Sequence, residues 1–263
     1  MSTEPGYGAI SLMRDGHVAV LEIDRPPHNH VSVDLMRNLA DALADIDGER
    51  DVRAIVLASA GKNFCAGADL VAPSQQGAVI ASGVTTNPLY VQAVRLFASK
   101  KPIVAAIQGA AVGAGLGLAL IADFRLASLD ARFTANFVKL GFHPGFGITY
   151  TLPRLIGEQR AALMALTGRR IKADEALAWG LVDEVVAFED LRSSALELAR
   201  EIAENAPLAV QSTRATLRGE LAARVKSQTD HEFREQEWLI KTSDFAEGVR
   251  AVSERRPGNF SAS

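Results

Sequence analysis

The sequence predicts an α/β core followed by an α-helical appendage, and three observations carry that prediction. Short β-type runs alternate with helical periodicity from Ile10 to Val186. After Glu189 the pattern is helical throughout. Between them lies Lys101 to Asp123, KPIVAAIQGAAVGAGLGLALIAD, in which a β-type run enters an apolar helix through a loop almost without side chains. With 263 residues the chain can bury a sizeable core.

Taken in order, Ile10–Met13 and His17–Ile23 alternate as two strands around Arg14-Asp15-Gly16. Arg25-Pro26-Pro27 stops the second strand, and Ser32 is placed to cap a helix reaching about Asp47, with Val33, Met36, Leu39, Ala40 and Leu43 on one face. Val52–Ser59 is a buried strand running into Gly61-Lys62-Asn63-Phe64-Cys65-Ala66-Gly67-Ala68-Asp69-Leu70. Val71–Pro88, rich in Ser, Gly, Gln and Thr, is expected to be a loop or lid, and Leu89–Ser99 a helix. Phe124–Ser128 is a strand that Arg132-Phe133-Thr134 extends or pairs with. Asn136–Leu140 is a short helical turn, and Gly141–Gly147 a loop. Helices are expected over Glu158–Leu166 and over Ala173–Trp179, the second closed by Gly180 as a left-handed cap, with a strand over Val182–Val186. The tail predicts helices over Leu191–Glu204, Pro207 to about Leu221, Arg224–Lys241 and Asp244–Arg255.

Composition excludes several classes. Lys and Arg total 28 against 31 Asp and Glu, and no basic run is interleaved with aromatics, which argues against nucleic acid as the main partner. Cys65 is the only cysteine, so neither a disulfide framework nor a cysteine metal cluster is available. The first ten residues lack a basic region and an apolar core, so no signal peptide is expected. The run Gly109–Ala122 is too short and too glycine-rich to span a bilayer. A cytoplasmic protein is the expectation, with no metal and no membrane partner.

The glycine loop Gly113-Ala114-Gly115-Leu116-Gly117 is where chemistry is expected. Missing side chains let another backbone or a ligand come close, and the first N–H groups of a helix have no intrahelical acceptor. Such groups stabilise developing negative charge, which is the physics of an oxyanion hole. A dinucleotide fingerprint is rejected: the strand ends six residues before Gly113, the third glycine comes one position early, and Phe133 stands where a ribose-binding acid belongs.

Four segments resemble the enoyl-CoA hydratase/isomerase (crotonase) family. They are KPIVAAIQGAAVGAGLGLALIADFRLAS, the loop Phe64–Leu70 (F-x-A-G-A-D-L in that family), LTGRRIKADEALAWGLVDEVV and SDFAEGVRAVSERRPGNF. The resemblance implies a crotonase-like spiral of ββα units over residues 1–200 and a helical region, 201–263, that builds a homotrimer or a dimer of trimers. It implies an acyl-CoA thioester as substrate, with no cofactor beyond that coenzyme A. The thioester carbonyl would be held by two backbone N–H groups, assigned by position to Ala66 and Ala114. Arg25, Lys62, Ala66, Ala68, Asp69, Leu70 and Phe137 fall on stretches resembling the family's substrate- and CoA-contacting positions. The run His28-Asn29-His30-Val31-Ser32 departs from the family's pattern there.

Three further departures matter. The family's two hydratase carboxylates fall at Gly117 and Phe137, and a third acid position used by relatives falls at Gly145. A glycine and a phenylalanine transfer no protons, so standard hydration of an enoyl thioester is expected to be badly impaired, whereas decarboxylation, or isomerisation with a base from elsewhere, stays within reach of the oxyanion hole. His143 is the nearby candidate base, with Tyr150, Thr134 and Asn136 as candidates to orient substrate or water. Asp69 is expected to organise its own loop, and Cys65 to be a small packed residue. Phe137, Phe142 and Phe146 suggest an apolar, bulky pocket. A non-catalytic CoA-thioester binder or assembly subunit is the competing reading. A serine hydrolase of the caseinolytic-protease architecture is excluded, because Gly113–Gly117 contains no serine.

Overall fold

A computed structural model describes residues 7–69 and 86–263. Its main sheet has six strands in the order β1-β2-β3-β4-β6-β9. β1 (Ile10–Asp15) and β2 (Val18–Ile23) form an antiparallel hairpin, and β3 (Ala54–Ser59), β4 (Ile103–Ile107), β6 (Phe124–Ser128) and β9 (Glu184–Val186) continue it in parallel. Strand periodicity then divides the core in two. Val18, Val20, Val56, Val104 and Ala106 meet Leu191, Ala195 and Ala199 of a helix on one face. Leu21, Ile55, Leu57, Ile103 and Ile107 point to the other face, into the cluster that holds Leu35, Met36, Leu39 and Leu43. Those four lie on α1 (Val33–Gly48), whose Ser32 cap accepts from Leu35 N.

A second, three-stranded sheet has the order β5-β7-β8, from Ala110–Val112, Arg132–Thr134 and Arg170–Lys172. Here the sequence expectation needs correcting. Arg132–Thr134 pairs with β5 and β8 rather than extending the strand before it. β5 and β8 are three residues each, too short for alternation to register. The expected lid at Val71–Pro88 lies almost wholly outside the described residues; Pro88 itself opens α2 (Pro88–Phe97).

The glycine loop ends in α3 (Ala114–Ala119), six residues long. Then come α4 (Ile148–Ile156), α5 (Glu158–Thr167), α6 (Ala173–Trp179) and α7 (Leu191–Ala203), the helix that faces the first cluster. The sequence did not reveal α4, whose Pro153 lies inside it. α8 (Pro207–Arg218), α9 (Leu221–Leu239) and α10 (Ser243–Ser253) form the helical tail. α9 packs on α2 and α4, and α10 on the 3-10 turn Asn136–Leu140, so the tail folds back over the core's own loops. No helix among the described residues is long and apolar enough to cross a membrane.

Candidate active site

The site is built where the loop after β3 interlocks with the loop before α3. Phe64 N donates to the Gln108 carbonyl at 2.7 Å, Cys65 N to Ala110 O at 2.9 Å, and Val112 N to Cys65 O at 3.0 Å. The backbones approach so closely that glycine is required on both sides. A Cβ on Gly115 would lie 2.1 Å from the Cys65 carbonyl oxygen, and one on Gly67 (φ +89°) 2.7 Å from that of Val112. The Gly67 Cβ position is also 3.9 Å from Ala114 N, which puts Ala68 beside the start of α3.

Accounting for the N–H groups here corrects the sequence assignment. Ala66 N donates to the His28 carbonyl at 2.9 Å and is committed to holding the loop. Among the described residues, the N–H groups of Ala68 and Ala114 have no hydrogen-bond acceptor, and both residues line one cavity. With α3 only six residues long, little macrodipole stands behind Ala114. What the site offers is two oriented N–H groups.

Among the described residues, the rest of the cavity wall is mainly apolar, with Leu89, Phe137, Leu140, Phe142 and Phe146, and Tyr90 and Asn136 as its polar side chains. The three positions at which the resemblance expected carboxylates are occupied by other groups or closed off by neighbours. A Cβ on Gly117 would meet Phe146 at 2.6 Å. Phe146 is fully buried at φ +64°, between Gly145 and Gly147, and its ring lies over the place a longer residue at 117 would need. A Cβ on Gly145 would lie 1.9 Å from the Tyr90 hydroxyl. Phe137 lines the cavity itself.

The tail helices hold this wall. Gln236 on α9 accepts from the Tyr90 hydroxyl at 2.7 Å and donates to His143 O at 2.9 Å. Glu232, fully buried on the same helix, accepts from Gly147 N at 2.8 Å, Thr149 N at 3.1 Å and Thr149 Oγ1 at 2.5 Å. Burial pushes its carboxyl up to about 7 against those three stabilising bonds. Neither Glu232 nor Gln236 stood out in sequence, since each reads as one more polar residue on a charged helix.

His143 is the plainest correction. Its Nδ1 lies 2.7 Å from the Pro144 carbonyl, its ring stands edge-on to His231 at 6.1 Å, and its side chain faces a separate cavity beside Leu166 and Trp238. It is not placed to serve as base at the paired N–H groups. Thr134 Oγ1 donates to Gly168 O, and the Tyr150 ring carries the Arg154 guanidinium 5.3 Å above it, so neither faces the cavity. Cys65 is fully buried with its thiol pushed up to about 12, which makes it packing rather than a nucleophile.

On the side expected to meet CoA, Arg25 Nη1 donates to His30 O and Ser32 Oγ, tying down the chain that enters α1. Lys62 is exposed, Asp69 is half-buried at the loop's end, and Leu70 lies outside the described residues. Asn29, which the sequence reading passed over, is fully buried at φ +49°. It accepts from Arg25 N and donates to Ala60 O and Asn63 O, so it sets the position of the donor loop.

Fold and site together define a class: an α/β protein that presents backbone donors to an apolar cavity between interlocked loops. A family model described as enoyl-CoA hydratase/isomerase matches residues 14–263. The short-chain-enoyl-CoA hydratase of Clostridium acetobutylicum is 34% identical over 251 residues, spanning 94% of this chain and 95% of that one. The 1,2-epoxyphenylacetyl-CoA isomerase of Escherichia coli is 32% identical over 249 residues, spanning 92% and 94%. A crystal structure of an enoyl-CoA hydratase/isomerase from Pseudoalteromonas atlantica superposes with a TM-score of 0.86 at 30% identity, covering 96% of this chain and all of the other. The chain belongs to the enoyl-CoA hydratase/isomerase (crotonase) family and has its mixed α/β fold with C-terminal helices. Enzymes of this family act on CoA thioesters without a separate cofactor.

Proposed function

We propose that this protein is an acyl-CoA enzyme that polarises a thioester carbonyl with the N–H groups of Ala68 and Ala114, and that its reaction is not standard enoyl-CoA hydration. The observation that carries the reading is this pair of N–H groups without an acceptor at the edge of a mainly apolar cavity. Two N–H groups aimed at one carbonyl oxygen stabilise the enolate that forms when an α-substituent leaves without its electron pair. Decarboxylation fits the wall best. The C–C bond breaks, CO₂ departs, the electron pair passes through the α-carbon to the thioester oxygen, and a solvent proton later quenches the enolate. No side-chain base is needed, and none lines the cavity among the described residues. Arg25 and Lys62 are the cations proposed to meet CoA phosphates, and residues 201–263 are the region proposed to assemble a homotrimer or a dimer of trimers.

One observation favours a second reading, a CoA-thioester binder without turnover: the acid positions are not merely empty but packed by Phe146, Phe137 and the Tyr90–Gln236 pair. Ala114→Pro separates the two, because it removes one donor while proline is tolerated at the first position of a helix. Against a panel of acyl-CoA thioesters, malonyl-type included, the enzyme reading expects turnover that falls about 10²–10³-fold in this variant. Unchanged turnover would overturn the donor assignment. Thioester binding with no turnover in the unmodified protein would establish the binder.

A further inference from the structure

One polar atom at the cavity wall is oriented by the structure and has no part in the chemistry above: the Tyr90 hydroxyl. Tyr90 is 6% exposed on α2, and its oxygen stands beside Gly145, a cavity-lining residue, where a Cβ would come within 1.9 Å of it. Its proton is already assigned. Gln236 Nε2 donates to the carbonyls of His143 at 2.9 Å and Pro144 at 3.3 Å, which turns Oε1 toward Tyr90, where it accepts the hydroxyl hydrogen at 2.7 Å. A phenol has one hydrogen to give, so toward the cavity it has only lone pairs to offer. Burial first, and then the nearby Glu232 charge, holds the phenol well above its ordinary range, so that hydrogen stays in place.

We infer that Tyr90 is a specificity-determining residue: its hydroxyl oxygen accepts a hydrogen bond from a hydroxyl group on the acyl chain, so the preferred substrates are hydroxyacyl-CoA thioesters rather than plain hydrocarbon ones. The inference rests on the acyl-CoA reading above and adds the substrate's polarity to it. Phe137, Phe142, Phe146 and Leu89 supply an apolar surround in which a single acceptor discriminates well, because a hydroxyl entering it must find a partner or lose its hydration. Asn136, half-buried, stands beside Gly113 of the glycine loop on the same cavity.

The test is calorimetric binding to the full-length protein of hexanoyl-CoA and of its 3-, 4-, 5- and 6-hydroxy isomers. One isomer is expected to bind at least about fivefold more tightly than hexanoyl-CoA. Tyr90→Phe is expected to lose that preference, read as the ratio of hydroxyhexanoyl-CoA to hexanoyl-CoA affinity within the variant. Gln236→Leu, which frees the hydroxyl hydrogen, is expected to shift preference toward the oxo analogue at the same carbon. Equal or weaker binding of every hydroxy isomer, or a preference that survives Tyr90→Phe, would overturn the assignment while leaving the acyl-CoA reading standing. Failure of the unmodified protein to bind any of these thioesters would overturn both.

Discussion

The two sides of the cavity are made differently. On the donor side the chemistry belongs to the backbone, and its geometry is enforced by packing: three hydrogen bonds between the loops and glycines that admit no Cβ. On the opposite side the chemistry would belong to side chains, and there the fold has accepted Phe146, Phe137 and Tyr90 in place of acids. A backbone donor changes only if the loops move, whereas a catalytic carboxylate is lost by one substitution and its space is filled by a neighbour. On the reading proposed above, that difference is how a chain would keep a polarising device while lacking an acid–base pair.

The sharpest way to break that comparison is to rebuild the acidic side. Gly117→Glu alone is expected to add nothing, because the new side chain collides with Phe146. Joined to Phe146→Ala and Phe137→Glu, it restores two carboxylates opposite the donors. Crotonyl-CoA hydration, followed as loss of the conjugated thioester's absorbance, is then expected to rise about 10²-fold or more. A rate no higher than that of the unmodified protein would mean that more than the missing acids separates this wall from a hydratase's.

The donor side is tested by adding one methyl group. Gly115→Ala drives a Cβ against the Cys65 carbonyl and is expected to destabilise the fold by about 3 kcal/mol, or to prevent folding. Gly48→Ala, where nothing lies within 4 Å, is expected to be neutral or slightly stabilising in the same urea titration. Equal effects would show that the loops yield more easily than their hydrogen bonding implies.

The smallest effect concerns Glu232, which braces the acidic side from α9. Its carboxyl is raised from an ordinary 4.5 to about 7, so the folded chain holds this proton more tightly than the unfolded one. Its contribution is therefore fully present below about pH 4.5 and is lost as pH rises toward 7 and beyond. Glu232→Gln removes that dependence. The stability difference between native protein and variant is expected to move against the native protein by roughly 2–3 kcal/mol from pH 4.5 to 8. Parallel urea-denaturation profiles across that range would contradict it.

Much of this was legible in the sequence, and the misses have physical causes. Ser32 and the apolar face behind it announce α1, Gly180 announces the end of α6, and the glycine spacing marks the loop. The sequence assigned a donor to Ala66, whose N–H the structure commits to the His28 carbonyl, and passed over the Ala68 N–H two residues on. In an extended loop the N–H groups of residues two apart face the same side, and both residues here are alanines. Only the His28 carbonyl, brought in by a distant turn, tells them apart. The packing of Phe146 over Gly117 was equally invisible, since it depends on a left-handed phenylalanine that no periodicity reports. His143 misled because closeness in sequence to Gly145 does not fix which way a loop side chain points.

Glu232 and Gln236 carry a consequence for how the protein comes into being. The residues that brace the cavity's far wall come at positions 232 and 236, whereas the paired N–H groups of Ala68 and Ala114 are complete by residue 114. A growing chain can therefore set its main sheet and interlock its loops well before the pocket has a finished wall. Ligand binding becomes a property of the finished molecule: premature termination before α9 would leave a recognisable core with the donor pair formed and no shaped cavity opposite it.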